Sequence, residues 1–575
     1  MSAAKPPADV TEAEWLSRIG LARRQGNHLL AYDLSLRALQ DWPDAIAFEH
    51  QAILALARAG ATSNARVRYD KLVASGRLET ITDPRLAEDF AALDGRLWKD
   101  LAQRSLPDDA LRYRLMSANA YAAAWRRFGG YYSAINAASM FLAAGNKQAA
   151  AEFASAALDL ARNAPDDGYW AVATEAEALL ILGNAAGAAE ALKVASALGG
   201  QNLDELAATR RQLTWVAELS GVSPEALQSL ASPRVVTWAL RPDGSVPGLG
   251  GDLSSGQQVI AFGPLLSGAD LTMARALLDA GIEVNLVLPC DPELIAASPI
   301  RSAVSLFDAI FQPTIDQAAS ITLVTHEGGP FEPAARQLCR QQASGLARLR
   351  AEHLAVTPEL FTPGADGSRF SALPAELAAG EPATGVAAEL IRQPHAILFG
   401  DVHGFSKLNE AQQLMFLDRV IGGFADVLDA CSYVEYAETA GDGLFVVVSD
   451  VISAAECCFA LRDVLLPELI EAAGLPDHLG LRLSAHVGPL HRRHDRVIRR
   501  DKFCGMEVIR TARIEPVTPV GEIFVTEQFA ATLACAAGDR FLCEYAGVQA
   551  MAKNFGECRM YSLRPAVPRG VSATS

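Results

Sequence analysis

Two carboxylates carry the sharpest chemical signal in this sequence. The stretch HAILFGDVHGFSKLNEAQ, residues 395–412, reads as an apolar strand that ends at Asp401 and turns through Gly404 into a helix. Downstream, YVEYAETAGDGLFVVVSD, residues 433–450, reads as a β-hairpin with Asp442 in its Gly441-Asp442-Gly443 turn and an apolar strand after it. Strand ends set side by side would offer the hard oxygen ligands that two magnesium ions need, and such a metal pair activates a hydroxyl while neutralising a triphosphate. A single Asp in a turn is common. The signal lies in the pair and in the order of the strands.

From these residues the segment resembles the class III adenylate/guanylate cyclase catalytic domain, whose strand, Asp, aliphatic residue, any residue, Gly, Phe and Ser or Thr are met by Asp401, Val402, Gly404, Phe405 and Ser406. The match continues through LRLSAHVGP, residues 481–489, then GMEVIRTARIEPVTPVGEIFVTEQF, residues 505–529, and ends in AKNFGECRMYSL, residues 552–563. The resemblance implies an α+β, ferredoxin-like domain over residues 393–565. It further implies two Mg2+ (or Mn2+) held by Asp401, Asp442 and the Val402 carbonyl, phosphates cradled around Gly404, Phe405 and Ser406, and Arg513 as the catalytic arginine at the α-phosphate. The reaction implied is intramolecular attack of a ribose 3′-hydroxyl on the α-phosphate of a nucleoside triphosphate, with pyrophosphate leaving. In that family the metals come from one protomer and the arginine from the other, which implies a homodimer.

Base choice follows from two further positions. Glu438 stands where the family places its purine selector, and a carboxylate there accepts from guanine N1–H and the 2-amino group. Lys502, three residues before Gly505, would donate to guanine O6; a register shift of one residue would bring Asp501 there, which suits an adenine amino group. The lean is to GTP over ATP, with a solvent-facing strand residue as the plainer reading of Glu438. Two positions depart from the family pattern: Ile509 replaces the asparagine that orients the ribose, and Phe555 replaces a triphosphate-contacting lysine, with Lys553 nearby. The run RRHDRVIRR, residues 492–500, reads as a solvated arm that offers a substitute cation at most.

The elements ahead of this segment have to hold or regulate it. Residues 1–230 read as a helical-repeat domain, Ala- and Leu-rich with helical periodicity from Glu12 to about Glu218. A Gly-x4-Ala-x6-Ala spacing recurs at Gly26, Ala31, Ala38, at Gly145, Ala150, Ala157 and at Gly183, Ala188, Ala195, with a partial copy at Gly60 and Ala65. This resembles the second helix of a tetratricopeptide repeat, with an irregular alanine-rich bundle as the alternative, and suits a protein partner. Residues 231–356 alternate short β-rich runs (234–240, 258–262, 283–288, 320–324) with helical stretches, the pattern of an α/β three-layer domain. The segment Ser267 to Pro289 resembles nucleotide-binding-like α/β domains related to the lysine-decarboxylase-like fold. Gly268 and Asp270, at a helix N-terminus, are candidates for a second ligand site there, against a turn that merely stabilises the fold. Residues 357–392 read as a linker and 566–575 as a flexible tail.

Composition sets the outer limits. The 575 residues carry a net charge of −17, which argues against nucleic-acid binding, and nine cysteines without a paired or metal-like spacing, which fits a reduced cytoplasmic protein. No run of apolar residues is long enough for a membrane span or a signal peptide. The expected protein is therefore multidomain: a helical repeat array, an α/β domain and a purine nucleotide cyclase. The competing expectations are a catalytically weak or inactive scaffold that dimerises or senses nucleotide, and an α/β domain with its own nucleotide-processing activity.

Overall fold

The structure, a computed structural model, describes residues 10–164, 168–199, 202–223, 227, 232–240, 258–304, 306–364, 367–374, 392–538 and 540–566. The chain divides into two compact units, one built mainly of residues 3–233 and the other of residues 234–351 and 357–565.

The first unit is helical from Glu12–Arg24 to Leu203–Ser220, and helices adjacent in sequence pack on one another. The repeated glycines explain the spacing of the pattern. Gly26, Gly60, Gly145 and Gly183 each follow the first helix of a pair in the left-handed conformation, with φ of 66°, 79°, 83° and 82°. A side chain would be strained there, and glycine ends the helix without that cost. Asn27 and Asn146 then cap the second helices through the Leu30 and Ala149 N–H groups. The alanines of the pattern (31, 38, 65, 150, 157, 188 and 195) are at most 1 % exposed, because a larger side chain would push the paired axes apart. Asp204, on the last described helix, ties the array together by drawing Arg58 to 3.4 Å and Arg23 and His28 to 3.6 Å. Burial works to raise its pKa, but these three cations win and hold it at about 2.

The second unit contains two sheets. The first has strands β1 (Arg234–Trp238), β2 (Val259–Pro264), β3 (Glu283–Leu288), β4 (Ser320–Leu323), β5 (Pro358–Gly364) and β6 (Gly367–Ala372) in the order β4-β3-β2-β1-β5-β6. All neighbours are parallel except the β5–β6 pair. β2 and β3 are apolar almost throughout, as strands covered on both faces must be. The expected linker needs correction here: Pro358–Gly364 and Gly367–Ala372 are antiparallel strands, and the first of them pairs with β1. Phe361 is buried and packs on Phe370, with ring centroids 5.2 Å apart, so two aromatic anchors outweigh the Pro and Gly content that reads as a linker. Residues 375–391 of that expected linker, and 567–575 of the expected tail, lie outside the described residues.

The second sheet comprises β7 (Gln393–His403), β8 (Val434–Ala440), β9 (Gly443–Val448), β10 (Gly480–Asp495), β11 (Arg500–Cys504), β12 (Ile523–Thr526), β13 (Phe541–Ala550) and β14 (Glu557–Pro565). Its order is β13-β14-β12-β10-β7-β9-β8, with β11 folded back on β10. Helices join β7 to β8 and β9 to β10, so β7 to β10 make a β-α-β-β-α-β unit of order 4-1-3-2, the ferredoxin-like arrangement. β7 lies in the middle, between β10 and β9. The two sheets belong to one unit rather than two separated domains. Thr322 donates to Glu527 at 3.1 Å and Gln528 to the Leu323 carbonyl at 2.9 Å. Gly345 approaches the Ala531 carbonyl so closely that an added Cβ would fall 1.8 Å from it.

Candidate active site

The central position of β7 places its carboxyl end against two neighbours at once. Asp401 lies opposite Gly443 of β9 on one side and Arg482 of β10 on the other. The β8–β9 turn folds over that end, and the Val402 N–H donates to the Asp442 carbonyl at 3.3 Å. Asp401, opposite Gly443, and Asp442, which precedes that glycine, therefore come side by side, close enough for their charges to act on each other, although they are remote in sequence. Burial, and then the like charge of Asp401, push the Asp442 carboxyl above its ordinary range. Arg482 binds Asp401 through Nη2 and lies 3.1 Å through Nε from Glu515. Burial raises the Glu515 carboxyl to about 7, with Arg482 opposing and the two aspartates adding to the shift.

The turn after Asp401 depends on glycine. Gly404 has φ 89°, and a Cβ there would lie 2.5 Å from Cδ2 of His478. A short 3-10 turn follows over Phe405–Lys407, in which Ser406 is exposed while Phe405 packs on Phe416 at 4.7 Å between centroids.

The two base-selecting candidates meet. Lys502 Nζ donates to Glu438 Oε1 at 2.7 Å. Asp501, the alternative, faces the arm instead, where it accepts from Arg492 and contacts His494, both at 3.2 Å. Two further residues converge on Glu438 that sequence reasoning did not single out: the Tyr436 hydroxyl donates at 2.5 Å and Arg500 lies at 3.4 Å. Burial works to raise the Glu438 carboxyl, but hydrogen bonds from Lys502 and Tyr436 and the charges of Lys502 and Arg500 win and hold it below its ordinary range. The signals for both were present. Tyr436 precedes Glu438 by two on the same strand, hence on the same face, and Arg500 closes the basic run read as a solvated arm.

Arg513 lies on the helix Met506–Ile514, one turn after Ile509, which is exposed. Among the described residues no hydrogen bond or ion pair joins Arg513 to Asp401, Asp442 or Glu438. Phe555 packs into the apolar cluster of Ile514, Phe524, Met551 and Met560, and the Arg510 guanidinium sits 5.9 Å from its ring. The same helix carries a buried polar contact that sequence reasoning missed, Glu507 with His486 Nε2 at 2.9 Å.

The other candidate turn is built differently. Gly268 opens the helix Gly268–Asp279, and Asp270 follows with only 4 % exposure. Its carboxylate accepts from the Ser267 hydroxyl at 2.8 Å, the Leu266 N–H at 3.0 Å and Trp238 Nε1 at 3.2 Å. Trp238 in turn lies against Gly263, where a Cβ would fall 1.9 Å from the indole. Asp270 thus spends its lone pairs inside the fold and closes the turn, contrary to a ligand-facing role.

Residues 29–142 match the family described as Tetratricopeptide Repeats-Sensor. No curated protein matches the chain. Among solved structures, this chain is similar to the adenylyl cyclase CyaB from P. aeruginosa, at 17 % identity and a TM-score of 0.28, over 31 % of this chain and 96 % of that one. It is similar to the guanylyl cyclase Cya2, at 22 % identity and a TM-score of 0.27, over 32 % and 96 %. It is also similar to the guanylate cyclase domain of RhGC from Catenaria anguillulae, solved with GTP, at 17 % identity and a TM-score of 0.26, over 30 % and 97 %.

Proposed function

We propose that this chain is a purine nucleotide cyclase that forms a 3′,5′-cyclic nucleotide and pyrophosphate, with GTP preferred over ATP. The observation that carries the reading is the meeting of Asp401 and Asp442 at the end of the central strand of a ferredoxin-like sheet. Two adjacent carboxylates whose charges repel fit a divalent cation. Magnesium takes one or two carboxylates and completes its shell with water and substrate phosphate. Asp401, Asp442 and the Val402 carbonyl would hold it. When bound, the metals would activate the 3′-hydroxyl and neutralise the triphosphate.

The chain's own residues do the rest. The turn at Gly404, Phe405 and Ser406 receives the phosphates, and its glycine keeps the backbone open to them. Glu438 and Lys502 pair a carboxylate with an ammonium at hydrogen-bonding distance, the donor and acceptor set that guanine N1–H and O6 require. Arg513 would serve the site of a second copy of the chain, so the active form is a homodimer, and the helical repeats bind a protein partner.

A weak or inactive cyclase-like scaffold is the second reading. Its support is Phe555, which is committed to the apolar core, and Ile509, which is exposed where a sugar-binding group is expected. One assay separates the two: purified protein with Mn2+ or Mg2+ is given GTP or ATP and the products are resolved by chromatography. Cyclic GMP as the main product, lost in Asp442→Ala, supports the proposal. Dominant cyclic AMP removes the role given to Glu438 and Lys502. No cyclic product under any condition leaves the scaffold.

A further inference from the structure

The charges around Asp401 and Asp442 are unevenly shared, and the residue that shares them is Glu515. Arg482 stands opposite Asp401 in the β7–β10 register, so its guanidinium cannot avoid that carboxylate. Its Nε lies at ion-pair distance, 3.1 Å, from Glu515 Oε1. Glu515 begins the short 3-10 turn Glu515–Val517 that follows the helix of Arg513, and its side chain is only 14 % exposed. Asp401 and Glu515 thus lie on two sides of one guanidinium with Asp442 beside Asp401, and with all three carboxyls ionised the cluster carries a formal charge of −2. A divalent cation cancels that charge.

If Arg482 served Asp401 alone, it would compete with any metal for that carboxylate, since a bonded guanidinium and a cation want the same oxygen lone pairs. A second carboxylate on the far side of the guanidinium divides its charge. We propose that Glu515 is a positioning residue of the metal centre, which acts through Arg482 by drawing the guanidinium partly away from Asp401 and so keeping that carboxylate available to a divalent cation. The inference rests on the cyclase reading of Asp401 and Asp442 and adds to it a residue outside the metal-binding pair. It predicts opposite signs for two neighbours. Removing the Glu515 charge leaves Arg482 wholly on Asp401 and weakens the metal. Removing the Arg482 charge frees Asp401 and tightens it.

The test is Mn2+ binding to the full chain at pH 8 without nucleotide, followed by the electron paramagnetic resonance of free Mn2+, so that turnover plays no part. Glu515→Gln is expected to weaken Mn2+ about tenfold, Arg482→Met to tighten it by a similar factor, and Glu515→Asp to retain most of the wild-type affinity. Thermal unfolding of each variant reports whether the fold is kept. A merely structural role for the bracket would weaken binding in both Glu515→Gln and Arg482→Met, and that result, or no change in either, overturns the proposal. Asp442→Asn is the control for the site itself: it should abolish Mn2+ binding. Binding that survives Asp442→Asn removes the metal-site reading, and the role of Glu515 falls with it.

Discussion

Two turns in this chain look alike in sequence and have opposite fates. Each follows an apolar strand, contains glycine, carries an aspartate and leads into a helical turn: the one at Ser267 to Asp270, the other at Asp401 to Ser406. Asp270 is enclosed and takes three donors from its own fold. The Asp401 side chain keeps 27 % of its exposure, pairs with one cation among the described residues, Arg482, and lies beside another carboxylate. A carboxylate whose lone pairs are filled internally is architecture. One that is partly open, with a like charge beside it, is where the proposed function seats its metal.

The comparison can be broken most forcefully by exchanging the expected losses. Asp401→Asn should cut cyclic-nucleotide formation about a hundred- to a thousandfold while leaving the unfolding temperature close to wild type. Asp270→Ala should do the reverse. It strands the Leu266 N–H and the Trp238 indole N–H in the core, so urea unfolding should report a loss of about 3 kcal/mol, with cyclase activity of the folded fraction retained. A large activity loss in stable Asp270→Ala protein would return that turn to the list of ligand sites.

A smaller effect separates the glycines. Gly404→Ala forces a side chain into left-handed backbone and against the His478 ring, at about 1–2 kcal/mol, and should raise the KM for nucleotide. Gly268→Ala sits at the start of a helix without positive φ and should be close to neutral by the same measurements.

The smallest effect is in pH. Burial pushes the Asp270 carboxyl above its usual 3.8, despite opposing hydrogen bonds from Ser267, Leu266 and Trp238. A carboxyl whose pKa is higher folded than unfolded contributes stability that is full below the unfolded value and is lost as pH rises through the folded one. Urea midpoints measured from pH 3 upward should therefore show a falling component in wild type that Asp270→Asn lacks.

Much of this was legible in the sequence because it depends on short-range rules. The repeated Gly-x4-Ala-x6-Ala spacing marks the helix ends and the close helix contacts, since a left-handed helix stop needs glycine and a tight crossing needs a small residue. The strand runs at 234–240, 258–262, 283–288 and 320–324 became strands, because buried parallel strands announce themselves by composition. The β5–β6 pair did not read as strands, since its evidence is the burial of Phe361 against Phe370 and pairing with a distant strand, neither of which is a local property. The same holds for the choice between Lys502 and Asp501. Alternation along β11 says only that the two side chains point to opposite faces, and the hairpin with β10 decides which of them meets Glu438.

The sequence by itself thus determined the helices, the strands and the identity of the groups able to do chemistry. Only the tertiary structure decided which carboxylates are spent and which are open. Asp270 and Asp401 are the same residue in similar turns, and what divides them is what remote parts of the chain bring: the Trp238 indole completes three donors and the burial of Asp270, whereas Asp401 receives the Arg482 guanidinium and the like charge of Asp442. Donor count and burial are sums over the neighbours that the fold brings in, and no local pattern contains that sum.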